Sequence, residues 1–289
     1  WNKKGMIYIV NNDNPKLLTH ASNPLAIHLE NNIYRIFYSG RDYQNRSSVS
    51  YVDYDLESEE IINDYKKTIV EPKDDTFYSH GITIGNSWKE KDDIYIGFMG
   101  WQQEEGHHWR GDIGKINLTD KKISMLLGIN EEDKISLSYP CIIFDKGTYK
   151  MWYGSTKNWT SENGEMVHTI KYATSQDCKK WSFHGTSIPY AIGKAQAFSK
   201  PSVYKDEKGY HMWFSYRSGD GTPYRIGYAF SSNGESWNMK QSNLSVSKNG
   251  WDSEMICYPY IFKHKNNLFM LYNGNRYGLK GFGLATSKI

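Results

Sequence analysis

Apolar and polar positions along this chain repeat on a long period, not a helical one. Five eight-residue segments align without gaps: Tyr34–Arg41, Ile94–Trp101, Tyr149–Thr156, Tyr210–Arg217 and Leu268–Asn275. They begin 60, 55, 61 and 58 residues apart. Each is rich in aromatic residues and ends in small or polar ones, which predicts a strand buried on both faces. Some ten residues upstream of four of them a polar residue precedes proline, at Asn23-Pro24, Tyr139-Pro140, Lys200-Pro201 and Tyr258-Pro259. Proline is tolerated near a strand's start, where no ladder donor is needed. The second repeat offers His80-Gly81 in that role. Downstream of each segment a further short strand is predicted, at 49–51, 112–116, 170–174, 226–230 and 282–286. Two of these run through a turn to a tryptophan, Ser175 to Trp181 and Ser231 to Trp237, the latter through the hairpin signal Asn233-Gly234.

Three or four antiparallel strands recurring about every 58 residues match a propeller blade with long loops. Residues 55–65 come nearest to a helical period, and a surface turn accounts for them as well. The strand-like Gly5–Val10 precedes the first repeat, while the last repeat ends with its third strand. The expected fold is therefore all-β: a single five-bladed β-propeller over residues 1–289. Its ring is closed by the N-terminal strand, which removes an exposed edge.

Composition narrows the function. Aromatic residues reach 15%, which excludes a disordered chain. No apolar run is long enough for a membrane span. The 35 basic and 32 acidic residues are interspersed, so no nucleic-acid footprint is expected. Cys141, Cys178 and Cys257 form neither a zinc pattern nor a disulfide framework, which favours a reducing, cytoplasmic setting. His107-His108 lack a carboxylate companion, and no metal or cofactor is expected.

The five repeats, their residue-Pro strand starts, the Tyr-x-Met-Trp-Tyr/Phe strands and the Ala-Thr-Ser or Ala-Phe-Ser elements before a Trp resemble the five-bladed β-propeller glycosidases. That superfamily includes arabinanase/xylosidase, invertase/levansucrase and mannoside-phosphorylase members. The resemblance covers essentially the whole chain. It implies a carbohydrate pocket at one end of the central channel, with carboxylates projecting from the blades in active members. Arabinanase-type members carry Asp just before the first-blade proline. Here Asn23 stands there, and an amide cannot act as a general base.

Two sets of equivalent positions should face the channel: Asn23, His80, Tyr139, Lys200 and Tyr258 before the inner strands, and Arg41, Trp101, Thr156, Arg217 and Asn275 at the ends of the aligned segments. Their chemical diversity suits one asymmetric ligand. Asp252 and Glu254, in Gly250–Pro259, are candidate acid/base residues, because glycoside hydrolysis needs two carboxyl groups in distinct environments. A glutamate among aromatic rings is pushed toward the protonated, donor form. Alternatively, Asp252 caps a turn and Glu254 pairs with a rim cation. Asp42, beside Arg41, is a third candidate carboxylate, able to accept sugar hydroxyls or to sit in a rim ion pair. Asn273, Asn275 and Arg276 form a polar loop suited to hydroxyl recognition. Arg41 and Arg217 keep an acidic sugar or sugar nucleotide open as ligand.

The expected function is a carbohydrate-active enzyme that cleaves or transfers a glycosyl group. The alternatives are a non-catalytic sugar-binding propeller, or a surface-glycan biosynthesis protein acting on a sugar nucleotide or lipid-linked sugar.

Overall fold

A computed structural model describes residues 1–288, and among them the regular structure is almost entirely β. Strand β1 (Asn2–Ile9) precedes four consecutive antiparallel units. The first is β2 (Thr19–Glu30), β3 (Ile33–Arg41), β4 (Ser47–Asp55) and β5 (Glu60–Val70). The second is β6 (Gly81–Glu90), β7 (Asp93–Gln102), β8 (Arg110–Asn117) and β9 (Ile123–Leu127). The third is β10 (Leu137–Asp145), β11 (Thr148–Asn158), β12 (Val167–Ser175) and β13 (Ser182–Thr186). The fourth is β14 (Ala197–Lys205), β15 (Tyr210–Arg217), β16 (Arg225–Ser231) and β17 (Asn238–Lys240). The last unit is β18 (Cys257–His264), β19 (Asn267–Asn273) and β20 (Gly281–Lys288), and β1 pairs antiparallel with β20 as its fourth strand. Residues 55–65, the nearest approach to a helical pattern, are the end of β4, a turn over 56–59 and the first half of β5.

The middle strands are buried on both faces, as their apolar runs require. Five apolar clusters hold the sheets to one another. Leu25, Phe37, Ile84 and Phe98 join sheets one and two, and Trp88, Ile113, Met151 and Tyr153 join two and three. Trp152, Tyr172, Phe198 and Phe214 join three and four. Trp213, Ile226, Met270 and Tyr272 join four and five, while Tyr8, Phe282, Tyr34 and Tyr38 join five back to one. The innermost strands also touch in cyclic order: β2 with β6, β6 with β10, β10 with β14, β14 with β18, and β18 with β2.

Each inner strand slips register at nearly the same place, between Ser22 and Leu25, Ser138 and Cys141, Ser199 and Ser202, and Cys257 and Tyr260, and one residue later in β6, between Ile84 and Ser87, where Thr83 opposes Met99 as Ser22 opposes Ser39. Four of these bulges hold the residue-Pro pairs. Proline has no N–H to donate and is accommodated where the ladder is interrupted. The residue before each proline is left-handed: φ is 57° at Asn23, 40° at Tyr139, 52° at Lys200 and 55° at Tyr258. This register corrects the expectation for the second repeat. The residues equivalent to Asn23-Pro24 are Ile84-Gly85, and His80 lies four residues earlier, just outside β6. Gly85 stands where the others carry proline because a Cβ there would lie 2.3 Å from the carbonyl oxygen of Pro140.

Candidate ligand site

Among the bulges and the ends of the middle strands lies an open cavity of about 210 Å³. Its wall comes from all five sheets and their loops. The bulge positions supply Asn23, Tyr139 and Tyr258, and the ends of β3, β7 and β15 supply Arg41, Trp101 and Arg217. These six expected residues meet in one site. Ser22, Thr83 and Ser199, each one residue before Asn23 or its equivalents Ile84 and Lys200, line it as well.

The wall is aromatic and cationic. Tyr139 and Tyr258 pack with ring centroids 5.6 Å apart, and Tyr258 stacks on Tyr277 at 6.1 Å. Burial raises the Tyr258 and Tyr277 hydroxyls and pushes Tyr139 up to about 12, so all three remain protonated donors at neutral pH. Trp101 is fixed by its indole N–H, which donates to Ser47 Oγ at 2.9 Å. Arg217 lies over the Tyr224 ring, 5.4 Å from its centroid, and donates from Nη2 to Glu165 Oε2 at 2.8 Å. The guanidinium of Arg41 makes no hydrogen bond or ion pair among the described residues. His168 is buried with Nε2 on Ser138 Oγ and Nδ1 on Thr156 Oγ1, both at 2.8 Å. Burial lowers it to about 4, so this ring is neutral at pH 7. Among the described residues, no Asp or Glu side chain lines the cavity. Glu165 reaches it only through Arg217.

The remaining expected residues lie elsewhere. Asp42 is buried: one carboxylate oxygen accepts the backbone N–H of Gln44 and of Arg46, both at 2.9 Å, and the other accepts Arg46 Nε at 3.2 Å. It closes its own turn instead of facing a ligand. Asp252 is buried against Lys3 Nζ at 2.6 Å and the Tyr272 hydroxyl at 3.0 Å. Glu254 is exposed on a neighbouring groove with His20, Arg276 and Leu279. The three carboxylates are therefore not brought together. Asn275 Oδ1 accepts the N–H groups of Glu254 and Met255 and so shapes that loop. Asn273 is buried and supports the cavity from behind, its Oδ1 accepting the Asn23 N–H at 2.8 Å and its Nδ2 donating to the Ala21 carbonyl at 2.8 Å. His80 packs against Trp101, with centroids 5.4 Å apart, outside the wall. Lys200 is fully buried and donates to the carbonyl of Gly85 across the inner strands.

Two proteins of Mycobacterium tuberculosis, the uncharacterized proteins MT1551 (strain CDC 1551 / Oshkosh) and Rv1502 (strain ATCC 25618 / H37Rv), are each 35% identical to this chain over 297 residues, spanning 99% of it and 98% of their own length. The chain belongs to their family. No model of a known protein family matches it. Among solved structures, the fold is similar over the whole chain to five-bladed propeller glycosidases. A structure reported for the GH130 family of mannoside phosphorylases, containing glycoside hydrolases that target β-1,2 mannosidic linkages in Candida mannan, has a TM-score of 0.70 at 12% identity, over 99% of this chain and 93% of the other. A glycosyl hydrolase from Bacteroides ovatus has a TM-score of 0.68 at 13% identity, covering 99% and 92%. Sucrose-6-phosphate hydrolase from Lactobacillus gasseri gives 0.64 at 13%, covering 96% and 61%. At these identities the likeness establishes the fold alone.

Several wall residues of this family member were not anticipated from sequence: Trp109, His168, Tyr224 and Tyr277. The signal for two of them is register. His168 pairs with Thr156, and Tyr224 directly precedes the partner of Tyr216, so both begin a third strand opposite the end of a second. Trp109 packs edge-on against Trp159, with centroids 4.7 Å apart, and thereby joins the loops of sheets two and three at the rim.

Proposed function

We propose that the chain is a single five-bladed propeller, its ring closed by β1, that binds an anionic carbohydrate unit in the axial cavity. The observation that carries this reading is the wall itself: two arginines, four tyrosines and two tryptophans, with no lining carboxylate among the described residues. An arginine fork matches a carboxylate or phosphate, aromatic rings suit the C–H face of a sugar, and hydroxyls suit its polar rim. The cavity has room for a ligand of monosaccharide size. One fold relative is named for hydrolysing a sugar phosphate, which is consistent with an anion on a sugar in this fold.

Calorimetric titration against uronates, sugar phosphates, sugar nucleotides and neutral sugars tests the reading. Acidic members are expected to bind and neutral ones not to. Arg41→Ala is expected to weaken acidic ligands by about ten- to a hundredfold, the loss of a charge-assisted hydrogen bond. Equal affinity for neutral and acidic sugars would overturn the assignment.

A second reading, glycosyl cleavage or transfer at the same cavity, is favoured by the shared fold and by Glu165. A ligand anion that displaces Glu165 from Arg217 would release a carboxylate at the cavity edge for proton transfer. On this reading Glu165→Gln abolishes product formation by mass spectrometry while acidic ligands still bind. Wild-type protein that binds a glycoside and leaves it intact on long incubation excludes turnover of that glycoside.

A further inference from the structure

Three polar groups of the cavity wall are left without partners among the described residues. Asn23 is 1% exposed, yet its Oδ1 accepts no hydrogen bond there. Its backbone is held in place: the N–H donates to Asn273 Oδ1, and the left-handed conformation belongs to the bulge. Asparagine tolerates that conformation better than most residues, so the side chain is aimed by its backbone. Arg217 Nε is also buried without an acceptor, although Nη2 of the same guanidinium is held by Glu165. Arg41 contributes a guanidinium with no partner among the described residues.

A buried acceptor left unpaired is destabilising, and an unpaired donor of a charged group is at least as costly. Both residues line one cavity, and their orphaned atoms mark what should enter it. Asn23 Oδ1 wants a donor, and the arginine nitrogens want acceptor oxygens carrying negative charge. A neutral sugar satisfies the first need and leaves Arg41 and Nε of Arg217 unpaired. A simple anion satisfies the second and leaves Asn23 unpaired. A hydroxylated acid satisfies both.

Resting on the reading of the cavity as an anionic-carbohydrate site, we propose that Asn23 determines specificity: a ligand hydroxyl donates to its Oδ1 while the ligand's anionic group takes Arg41 and Nε of Arg217. The recognised unit is then a sugar bearing its own carboxylate or phosphate. His168 adds no competing charge, since both its ring nitrogens are held by hydroxyls.

The test uses the full chain and five probes: D-glucuronate, D-glucose 6-phosphate, methyl glucoside, acetate and inorganic phosphate. Asn23→Gly removes the amide and accepts the left-handed backbone without strain. It should weaken the acidic sugar that the wild type binds by about tenfold or more, and leave acetate or phosphate unchanged. Asn23→Asp keeps the shape but places a carboxylate beside the anion, and should weaken the acidic sugar further still. Which acidic sugar the wild type prefers separates a carboxylate from a phosphate as the anion read. If Asn23→Gly weakens acidic sugar and simple anion alike, or neither, Asn23 is structural and this inference falls while the cavity assignment stands. If the wild type binds no acidic sugar, both fall. Thermal melting of each variant accompanies the titrations, so that loss of fold is told from loss of recognition.

Discussion

Asp252→Asn is expected to destabilise the protein by about 2–4 kcal/mol and to leave the ligand cavity intact. Its carboxylate is buried between two sequence-distant partners, Lys3 of β1 at 2.6 Å and Tyr272 of β19 at 3.0 Å. Removing one member of a buried ion pair costs about 3–5 kcal/mol, because the remaining charge is left without compensation. Lys3 is 24% exposed and can turn partly to water, which shifts the expected loss about 1 kcal/mol below that range. The Tyr272 hydroxyl cannot do so, since that residue is 0% exposed. Urea unfolding gives the loss directly, and calorimetry under native conditions should return wild-type affinity for whatever acidic sugar binds. The opposite pattern, unchanged stability with lost binding or turnover, would return Asp252 to the chemistry of the site. The pair also explains the fate of β1: the same contact that removes Asp252 from solvent ties the N-terminal strand to the fifth sheet.

The architecture was readable because its physical cause repeats. A middle strand buried on both faces has to be apolar at successive positions, and a proline has to sit where the ladder is broken. Both marks recur at the same spacing, and they led to Asn23, Tyr139, Tyr258, Arg41, Trp101 and Arg217, all of which line one cavity. The candidate carboxylates rest on a different argument, residue type near a strand end, and that criterion is weak. A short acidic side chain beside a turn finds backbone N–H groups within reach, as Asp42 does with Gln44 and Arg46. Asp252 illustrates a second difficulty: its partner Lys3 lies 249 residues away, and no local spacing announces it. Nor could the second repeat be aligned through proline, because close approach to Pro140 demands glycine at 85. His168 and Tyr224 were missed because loops of unequal length separate them from the repeating segments. Lys200 shares its register with Tyr139, but its long stem carries the amine to Gly85 and away from the cavity.

That buried amine supports the second large prediction, that Lys200→Met stabilises the protein at neutral pH by about 1–4 kcal/mol. Lys200 is 0% exposed, and burial lowers its ammonium group to about 7. The groups facing it are the Gly85 carbonyl, the Cys141 thiol and the ring of Tyr260, 5.8 Å away. None is an anion at neutral pH, because burial pushes Cys141 up to about 11 and raises Tyr260 as well. A lysine whose folded-state pKa lies below its unfolded value destabilises the fold, fully so at pH values under the folded pKa. The unfolded chain binds the extra proton between about pH 7 and the ordinary lysine value near 10.5, so stability rises with pH across that window. The slope approaches about 1.4 kcal/mol per pH unit where the two states differ by a full proton. Methionine occupies a similar volume without charge, and replacing a buried charge by a well-packed apolar side chain is often stabilising by about 1–4 kcal/mol. The Gly85 carbonyl loses its donor in the variant, which offsets part of the gain. The advantage of Lys200→Met should therefore be largest at or below pH 7 and shrink steadily toward pH 10, an outcome read from paired urea titrations in which other groups cancel. Ligand affinity should not follow the change, since Lys200 is absent from the cavity wall. A Met variant less stable than wild type at pH 7, or a difference that does not vary with pH, would show that the lysine is held as a cation by a partner other than these three.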